Sequence, residues 1–433
     1  MAEDDIRAQV AHLYRRAGFG ATAAELDQAA SQGVEATVAK LMAGLGEPDH
    51  GADAVADPLL GAAGAGAVGG AGQDRAARAQ LAADRKALAL WWLDRMAAST
   101  GPLREKLALL WHGHFATGIQ KVRLAAYMFR QNQIFRALGA GSFETLTQAV
   151  AKDPAMLVWL DSNTNVRSHP NENFARELME LFTLGIGNYT EDDVKEAARC
   201  FTGWAVNRSA DSFVFRANQH DGGVKTVLGR SGNFGGEDVV TVLTRSPAAA
   251  RLVPARLWSH LAYPVSATDP VVSELATGYA RDLSVDSLVR AILSHRKFMA
   301  PQARTGLVKQ PVEYVVGAFR ALGLKPSEHP EVLAALAGLG QVPFEPPSVG
   351  GWLQNGYWLS TAAALTRLRF AALVAGRADL SAIAGAAPAA RPAALERLLS
   401  VNWTPSTANT LANATDPRLV VALGLVAPEY VLN

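Results

Sequence analysis

The sequence has little of several patterns on which common protein functions depend. It contains a single cysteine, Cys200, so an intrachain disulfide and a cysteine-based zinc cluster are both excluded. It has no excess of one charge, because 41 lysines and arginines stand against 40 aspartates and glutamates. Proteins that bind nucleic acids usually carry a basic excess on one face. We therefore expect no nucleic-acid partner.

Long apolar runs are also missing. No stretch approaches the ~20 apolar residues that a membrane-spanning helix needs. The first residues, MAEDDIRAQVAHLYRR, lack the basic and apolar regions of a secretory signal peptide. We expect a soluble, cytoplasmic protein without a membrane partner.

The composition and the periodicity of the remaining sequence indicate a helical globular protein. Apolar residues make up 49% of the 433 residues and charged residues 19%, which is globular composition. Most segments have apolar residues at the 3.6-residue period of a helix. The prediction is a mainly α fold with one large multi-helical domain over residues 1–433. A Gly- and Ala-rich stretch at about 45–75 has little to bury and is predicted to be a flexible insertion.

One segment has the alternation of β-strands. SFVFRANQ alternates, HDGG has the chemistry of a turn, and VKTVLG can return as the partner strand. The pattern predicts one small β-hairpin near 212–230. His220 is expected at its tip, where loops often display catalytic groups.

The stretch WHGHFATG places two histidines one residue apart near the end of a helix that is predicted to begin at 102. Because successive helical residues are about 100° apart, His112 and His114 are expected roughly 200° from each other. His114 continues an apolar stripe that includes Leu107 and Leu110. The two rings can converge on one ion only if the helix ends or unwinds at Gly113, which has the backbone freedom to do so.

A second polar candidate interrupts the helix that is predicted over 171–185. Glu177 falls between Phe174 and Leu181 of its apolar stripe. A buried carboxylate must be paired, hydrogen-bonded, metal-bound or protonated. Glu180 follows three residues later and is near enough to share a site with Glu177. The sequence contains no G-x-S-x-G nucleophile motif and no H-E-x-x-H zinc motif.

Several of these motifs occur together in one known family. The chain resembles the large bacterial family known as domain of unknown function 1800 (DUF1800), in order along nearly its whole length, through HLYRRAGFGAT, WHGHFATG, DPAMLVWLD, PNENFARELMELFTLGIGNYTEDDVKEAARCFTGW, HDGGVKTVLG, VKQPVEYVVGAFRALG and PPSVGGW. The resemblance implies a mainly α-helical single domain. It also implies a protein partner from a neighbouring gene, because many relatives occur beside a second family that resembles sulfatases or phosphatases. Many relatives look exported and carry a histidine where this sequence has Phe182.

The leading hypothesis is a metal-dependent enzyme, either a hydrolase or an oxidoreductase. His112, His114, Glu177 and Glu180 would hold a divalent Zn, Fe or Mn ion, since nitrogen and carboxylate ligands suit all three metals. Glu177 and His220 would be catalytic, and the substrate would be a small molecule or a polymer. The alternatives are acid–base catalysis by a Glu–His pair without metal, and a non-catalytic binding or assembly protein whose His/Glu cluster is structural.

Elemental analysis tests the metal hypothesis. Purified protein is expected to carry a divalent metal, and His114→Ala and Glu177→Ala are each expected to reduce its content because each removes a ligand. Metal-free protein, or a metal content that neither substitution changes, would contradict the hypothesis.

Overall fold

The computed structural model describes residues 3–61 and 75–432. The mainly α fold predicted from the sequence is confirmed. The N-terminal part holds the helices α1 Glu3–Arg16, α2 Ala23–Gln32, α3 Val34–Ala43, α4 His50–Asp53, α5 Arg75–Ala98, α6 Pro102–His114, α7 Ile119–Val122, α8 Ala125–Leu138, α9 Phe143–Ala151 and α10 Pro154–Trp159.

The middle of the chain mixes helices with four short strands. Its elements are α11 Asn173–Glu177, a π-helix Leu178–Thr183, α12 Glu191–Cys200, β1 Trp204–Asn207, β2 Ser212–Phe215, β3 Lys225–Val227 and β4 Arg230–Gly232. The C-terminal part is again helical, with α13 Gly236–Thr244, α14 Ala249–Leu261, α15 Pro270–Tyr279, α16 Val285–Leu293, α17 Pro301–Arg304, α18 Pro311–Leu322, α19 Val332–Leu339, α20 Thr361–Ala375, α21 Ser381–Ala384, α22 Arg391–Leu399, α23 Pro405–Asn413, α24 Pro417–Val426 and α25 Pro428–Val431.

Short antiparallel β-strands are present in the predicted region, but the predicted pairing of the strands is wrong. The segment SFVF (β2) pairs with the preceding strand β1, and β3 pairs with the following strand β4, so that two antiparallel hairpins replace one. The turn of the second hairpin is Leu228–Gly229, where φ is +48° and +74°. Two consecutive residues with positive φ match the turn that best suits a two-residue hairpin. HDGG is instead held by side chains, since Arg199 forms an ion pair with Asp221 at 2.7 Å.

The predicted insertion at 45–75 is only partly within the described residues, because 62–74 lie outside them. Its first part is packed rather than loose. Asp49 is buried, caps α4 by accepting from the Ala52 N–H, and accepts from the Thr100 N–H at 2.8 Å. A carboxylate with several donors explains how a polar residue is kept in the interior.

A buried ion pair joins two helices at the centre of the protein. Lys106 on α6 contacts Glu313 on α18, and both side chains are buried. The Lys106 ammonium also donates to the Gly18 carbonyl at 3.2 Å. Burial lowers the pKa of Lys106, and the Glu313 carboxylate opposes that shift. The pair therefore fixes α6, α18 and the loop after α1 relative to one another.

The apolar core extends over most of the described chain. One cluster of buried apolar side chains includes residues from Val10 in α1 to Val431 in α25. Among the described residues, no helix is both long and apolar enough to cross a membrane.

Loss of the buried carboxylate is expected to be costly. Glu313→Gln leaves the Lys106 ammonium buried without its anion, so we expect a loss of about 3–5 kcal/mol in the free energy of unfolding. The matched control is Glu345→Gln, which removes the more exposed pair with Arg85 and should cost less than about 1 kcal/mol. Urea unfolding followed by circular dichroism measures both, and equal small losses would contradict the role of the central pair.

Candidate functional site

The end of α6 holds a proline-containing loop in place. The Phe344 N–H donates to Nε2 of His112 at 2.9 Å, and the Phe344 carbonyl accepts from the Ile119 N–H at 2.9 Å. Phe344 has a φ of +68°, which is uncommon for a residue with a side chain. The His112 ring is buried between aromatic rings, with centroids 5.2 Å from Trp92 and 5.3 Å from Trp352. His112 thus uses its ring to anchor the loop.

One glycine, Gly351, allows the loop to approach the helix closely. A Cβ on Gly351 would lie 2.3 Å from the Gly113 carbonyl oxygen, and Gly351 has a φ of +75°. Only glycine satisfies both the space and the dihedral angle without strain. The helix does not unwind at Gly113, since α6 continues to His114. The sequence-based inference that the two histidines face different directions is therefore supported by their different partners.

His114 contacts a neighbouring helix that changes its winding. The helix predicted over 171–185 becomes a π-helix at Leu178, and Nε2 of His114 donates to the Phe182 carbonyl at 2.9 Å. A carbonyl accepts only from N–H, so the neutral ring has its lone pair on Nδ1. Nδ1 has no hydrogen-bond partner within the described residues. The Phe182 ring packs against the His114 ring, with their centroids 6.0 Å apart.

The π-helix determines which side chains after Glu177 are buried. The wider turn brings Met179 and Phe182 into the core and leaves Leu181 only partly buried. Glu177 lies at the junction with α11, is half-buried, and has no hydrogen bond or ion pair within the described residues. Burial and then the Glu180 carboxylate raise the pKa of Glu177. The expected contact between His114 and Glu177 is replaced by the contact with the Phe182 carbonyl.

A cleft of about 290 Å³ opens beside His114. It lies between α6, the π-helix, α14, the start of α18 and the loop anchored by His112. Its lining residues are Leu109, Leu110, Gly113, His114, Leu181, Arg256, His260, Gln310, Gly350, Trp352, Leu353 and Gln354. Apolar walls with a few converging polar groups are typical of ligand sites.

Two polar side chains in the cleft, those of His260 and Gln354, are linked to each other and to the main chain of α14. Nδ1 of His260 donates to the Arg256 carbonyl at 2.9 Å, which leaves Nε2 to accept from the Gln354 amide at 2.6 Å. Desolvation and then the Arg256 charge lower the pKa of His114 to about 3. Desolvation also lowers the pKa of His260 to about 4. Both histidines are therefore neutral at pH 7.

Arg256 is the single charged residue that lines the cleft. Within the described chain its guanidinium has no carboxylate partner and no hydrogen bond. Desolvation lowers its pKa, although part of the side chain is exposed to solvent. The guanidinium is therefore accessible to an incoming anion.

The other predicted site residues lie apart from the cleft lining. Glu180 accepts from the Tyr189 hydroxyl at 2.6 Å. His220 donates from Nδ1 to the Thr202 carbonyl at 2.9 Å. Over residues 3–61 and 75–432, no three His, Cys, Asp or Glu side chains form a group placed to hold a metal ion. The Nε2 lone pair of His112 already accepts the Phe344 N–H. In these positions the four predicted ligands do not share a common centre among the described residues. Metal binding therefore stays a prediction.

Sequence reasoning missed Arg256, His260 and Gln354. Arg256 and His260 are four residues apart on α14, so they share one face of that helix. An arginine and a histidine at that spacing also occur on ordinary solvated helices. Only the packed structure shows that these two side chains line a cleft. Gln354 follows the PPSVGGW motif, but no periodicity indicates where a side chain in such a loop points.

Comparisons with known proteins give one match. The profile of a family described as "Protein of unknown function (DUF1800)" matches residues 12–432. No curated protein and no solved structure matches the chain.

The buried state of His112 predicts a pH dependence. Desolvation lowers its pKa from 6.5 to about 3, so below pH 6.5 the unfolded chain binds a proton that the folded chain does not. Stability should fall as the pH decreases from 6.5 towards 3, and His112→Gln should reduce this slope by about 1.4 kcal/mol per pH unit.

Urea unfolding at pH 6.0, 5.5 and 5.0 measures this slope. The control His50→Gln changes an exposed histidine and should leave the slope as in the wild type. An unchanged slope in His112→Gln would contradict a neutral, buried imidazole.

Proposed function

The chain belongs to the DUF1800 family, and from the geometry of its cleft we propose that it is an enzyme that acts on a small organic anion. Arg256 would bind the anionic group, and His114 would accept or donate a proton. The observation that carries the proposal is the Arg256 guanidinium without a carboxylate partner in the same cleft as a neutral histidine with a free Nδ1.

The charge of the cleft favours an anion. No Asp or Glu is among its lining residues. Near Gln310, the charge of Lys106 is compensated by its ion pair with Glu313. Desolvation lowers the pKa of the buried Lys309 well below its usual range, so Lys309 adds little positive charge. The charge that favours a carboxylate or a phosphate is therefore that of Arg256, whose planar guanidinium offers two parallel hydrogen bonds.

His114 has the features of a group that responds to such a ligand. Its pKa is low in the empty cleft because of desolvation and the Arg256 charge. An anion beside Arg256 would offset that charge and favour the imidazolium, so the pKa of His114 would rise towards neutrality. A catalytic acid or base works best when its pKa is near the working pH. Binding of the substrate would therefore prepare His114 for proton transfer.

The non-catalytic alternative has one favourable observation. His112 is occupied in anchoring the loop that contains Phe344, which is a structural role for one member of the predicted cluster. A binding protein would use the same cleft and Arg256 without turnover. The metal-dependent hydrolase or oxidoreductase remains a separate hypothesis, and metal analysis is its test. A protein partner from a neighbouring gene also remains a hypothesis.

Calorimetric titration tests the anion site. Acetate and inorganic phosphate are expected to bind the wild type, and Arg256→Gln should weaken binding at least tenfold, because a hydrogen bond to a charged group contributes about 1.5–3 kcal/mol. Arg251→Gln is the matched control, since Arg251 is exposed on the same helix and does not line the cleft. Equal binding by both variants, or no binding by the wild type, would contradict the proposal.

A further inference from the structure

Several exposed apolar side chains follow the cleft wall along the chain. Leu353, Tyr357 and Leu359 are 60%, 69% and 53% exposed, and they fall within seven consecutive residues. Leu353 also lines the cleft, as does its neighbour Gln354, which donates to His260. The segment 353–359 therefore begins in the cleft wall at Leu353 and carries two further exposed apolar side chains. Contiguous exposed apolar surface commonly marks a place where a ligand or partner binds.

The lining of the cleft is chemically mixed. Arg256 is charged and His114 and His260 are polar, whereas Leu109, Leu110, Leu181, Trp352 and Leu353 are apolar. A ligand that satisfies only the guanidinium would leave the leucines in contact with water. A ligand with both an anionic group and a hydrocarbon part would contact both kinds of residue.

The size of the cleft indicates which part of such a ligand would lie inside it. About 290 Å³ is at the lower end for sites that hold small molecules, which are typically ~300–1,000 Å³. It accommodates an anionic group and the first part of a chain. The remainder of the chain would follow the apolar side outwards along Leu353 to Tyr357 and Leu359.

We infer that the ligand of the cleft is an amphipathic anion, with a carboxylate or phosphate head at Arg256 and an apolar tail against Leu353 and the segment 353–359. This inference rests on the proposed function and names the class of its substrate. Charge complementarity at the head and continuous apolar surface from Leu353 outwards together favour a single amphipathic molecule over a purely polar metabolite.

A series of straight-chain carboxylates tests the inference. Acetate, butyrate, hexanoate and octanoate are titrated below their aggregation concentrations. Affinity should rise by roughly two- to fourfold for each added methylene until the apolar wall ends, as expected for burial of one methylene group. A flat series with retained acetate binding would overturn the inference and leave the proposed function standing. If neither acetate nor phosphate binds, both fall.

Substitutions separate the two ends of the ligand. Arg256→Gln should weaken every member of the series by a similar factor. The double substitution Leu353→Ser and Tyr357→Ser should flatten the dependence on chain length, so that octanoate loses more affinity than acetate. Both positions are exposed, so folding should tolerate the change. Leu419→Ser alters a leucine that is 49% exposed outside the cleft lining and should have no effect.

A lipid surface is the competing occupant of the exposed segment. Sedimentation with phosphatidylcholine vesicles examines it directly. Vesicle binding that depends on Leu353 and Tyr357, together with a flat carboxylate series, would overturn the inference in favour of membrane contact. A rising series without vesicle binding supports it.

Discussion

The arrangement of the cleft depends on the buried ion pair between Lys106 and Glu313. Two charges in an apolar interior are stable only when each satisfies the other and the remaining donors find acceptors. Lys106 does so through Glu313 and the Gly18 carbonyl. The pair fixes α6 against the start of α18, and these two helices contribute His114 and Gln310 to the cleft. Buried polar groups are likewise hydrogen-bonded in the loop that contains Phe344, whose N–H donates to His112.

The two histidines of WHGHFATG have separate roles because a helix directs them to different sides. His112 accepts the Phe344 N–H and orders the loop that carries Trp352 and Gln354. His114 donates to the Phe182 carbonyl and lines the cleft. The His112 ring therefore orders a loop that lines the site, while the His114 ring is available to a ligand. Gly351, which has no side chain, packs against the Gly113 carbonyl between them, so the loop and the cleft meet at this motif.

The predictable features are those that follow from local periodicity. The helical content, the boundaries of α6 and the divergence of His112 from His114 follow from a 3.6-residue period. The π-helix at Leu178 does not follow from this period, because its winding reflects packing against neighbouring elements. As a result, Leu181 of the expected apolar stripe is only partly buried. The hairpin pairing was missed because a Leu228–Gly229 turn is not evident without knowing both φ angles. Arg256 and His260 look like ordinary surface residues until α14 is placed beside the π-helix, where both residues line the cleft.

The central claim is that desolvation, together with the unpaired Arg256 charge, keeps two histidines neutral in a cleft that binds an anion. Nuclear magnetic resonance of the imidazole C–H signals tests it most directly, with His114→Gln and His260→Gln variants for assignment and exposed His50 as the internal reference. Without a ligand, neither signal should titrate between pH 5 and 8, whereas saturating acetate or phosphate should move at least the His114 pKa upwards into that range. Titration near the ordinary value of 6.5 in the free protein, or no response to either anion at matched ionic strength, would contradict the account.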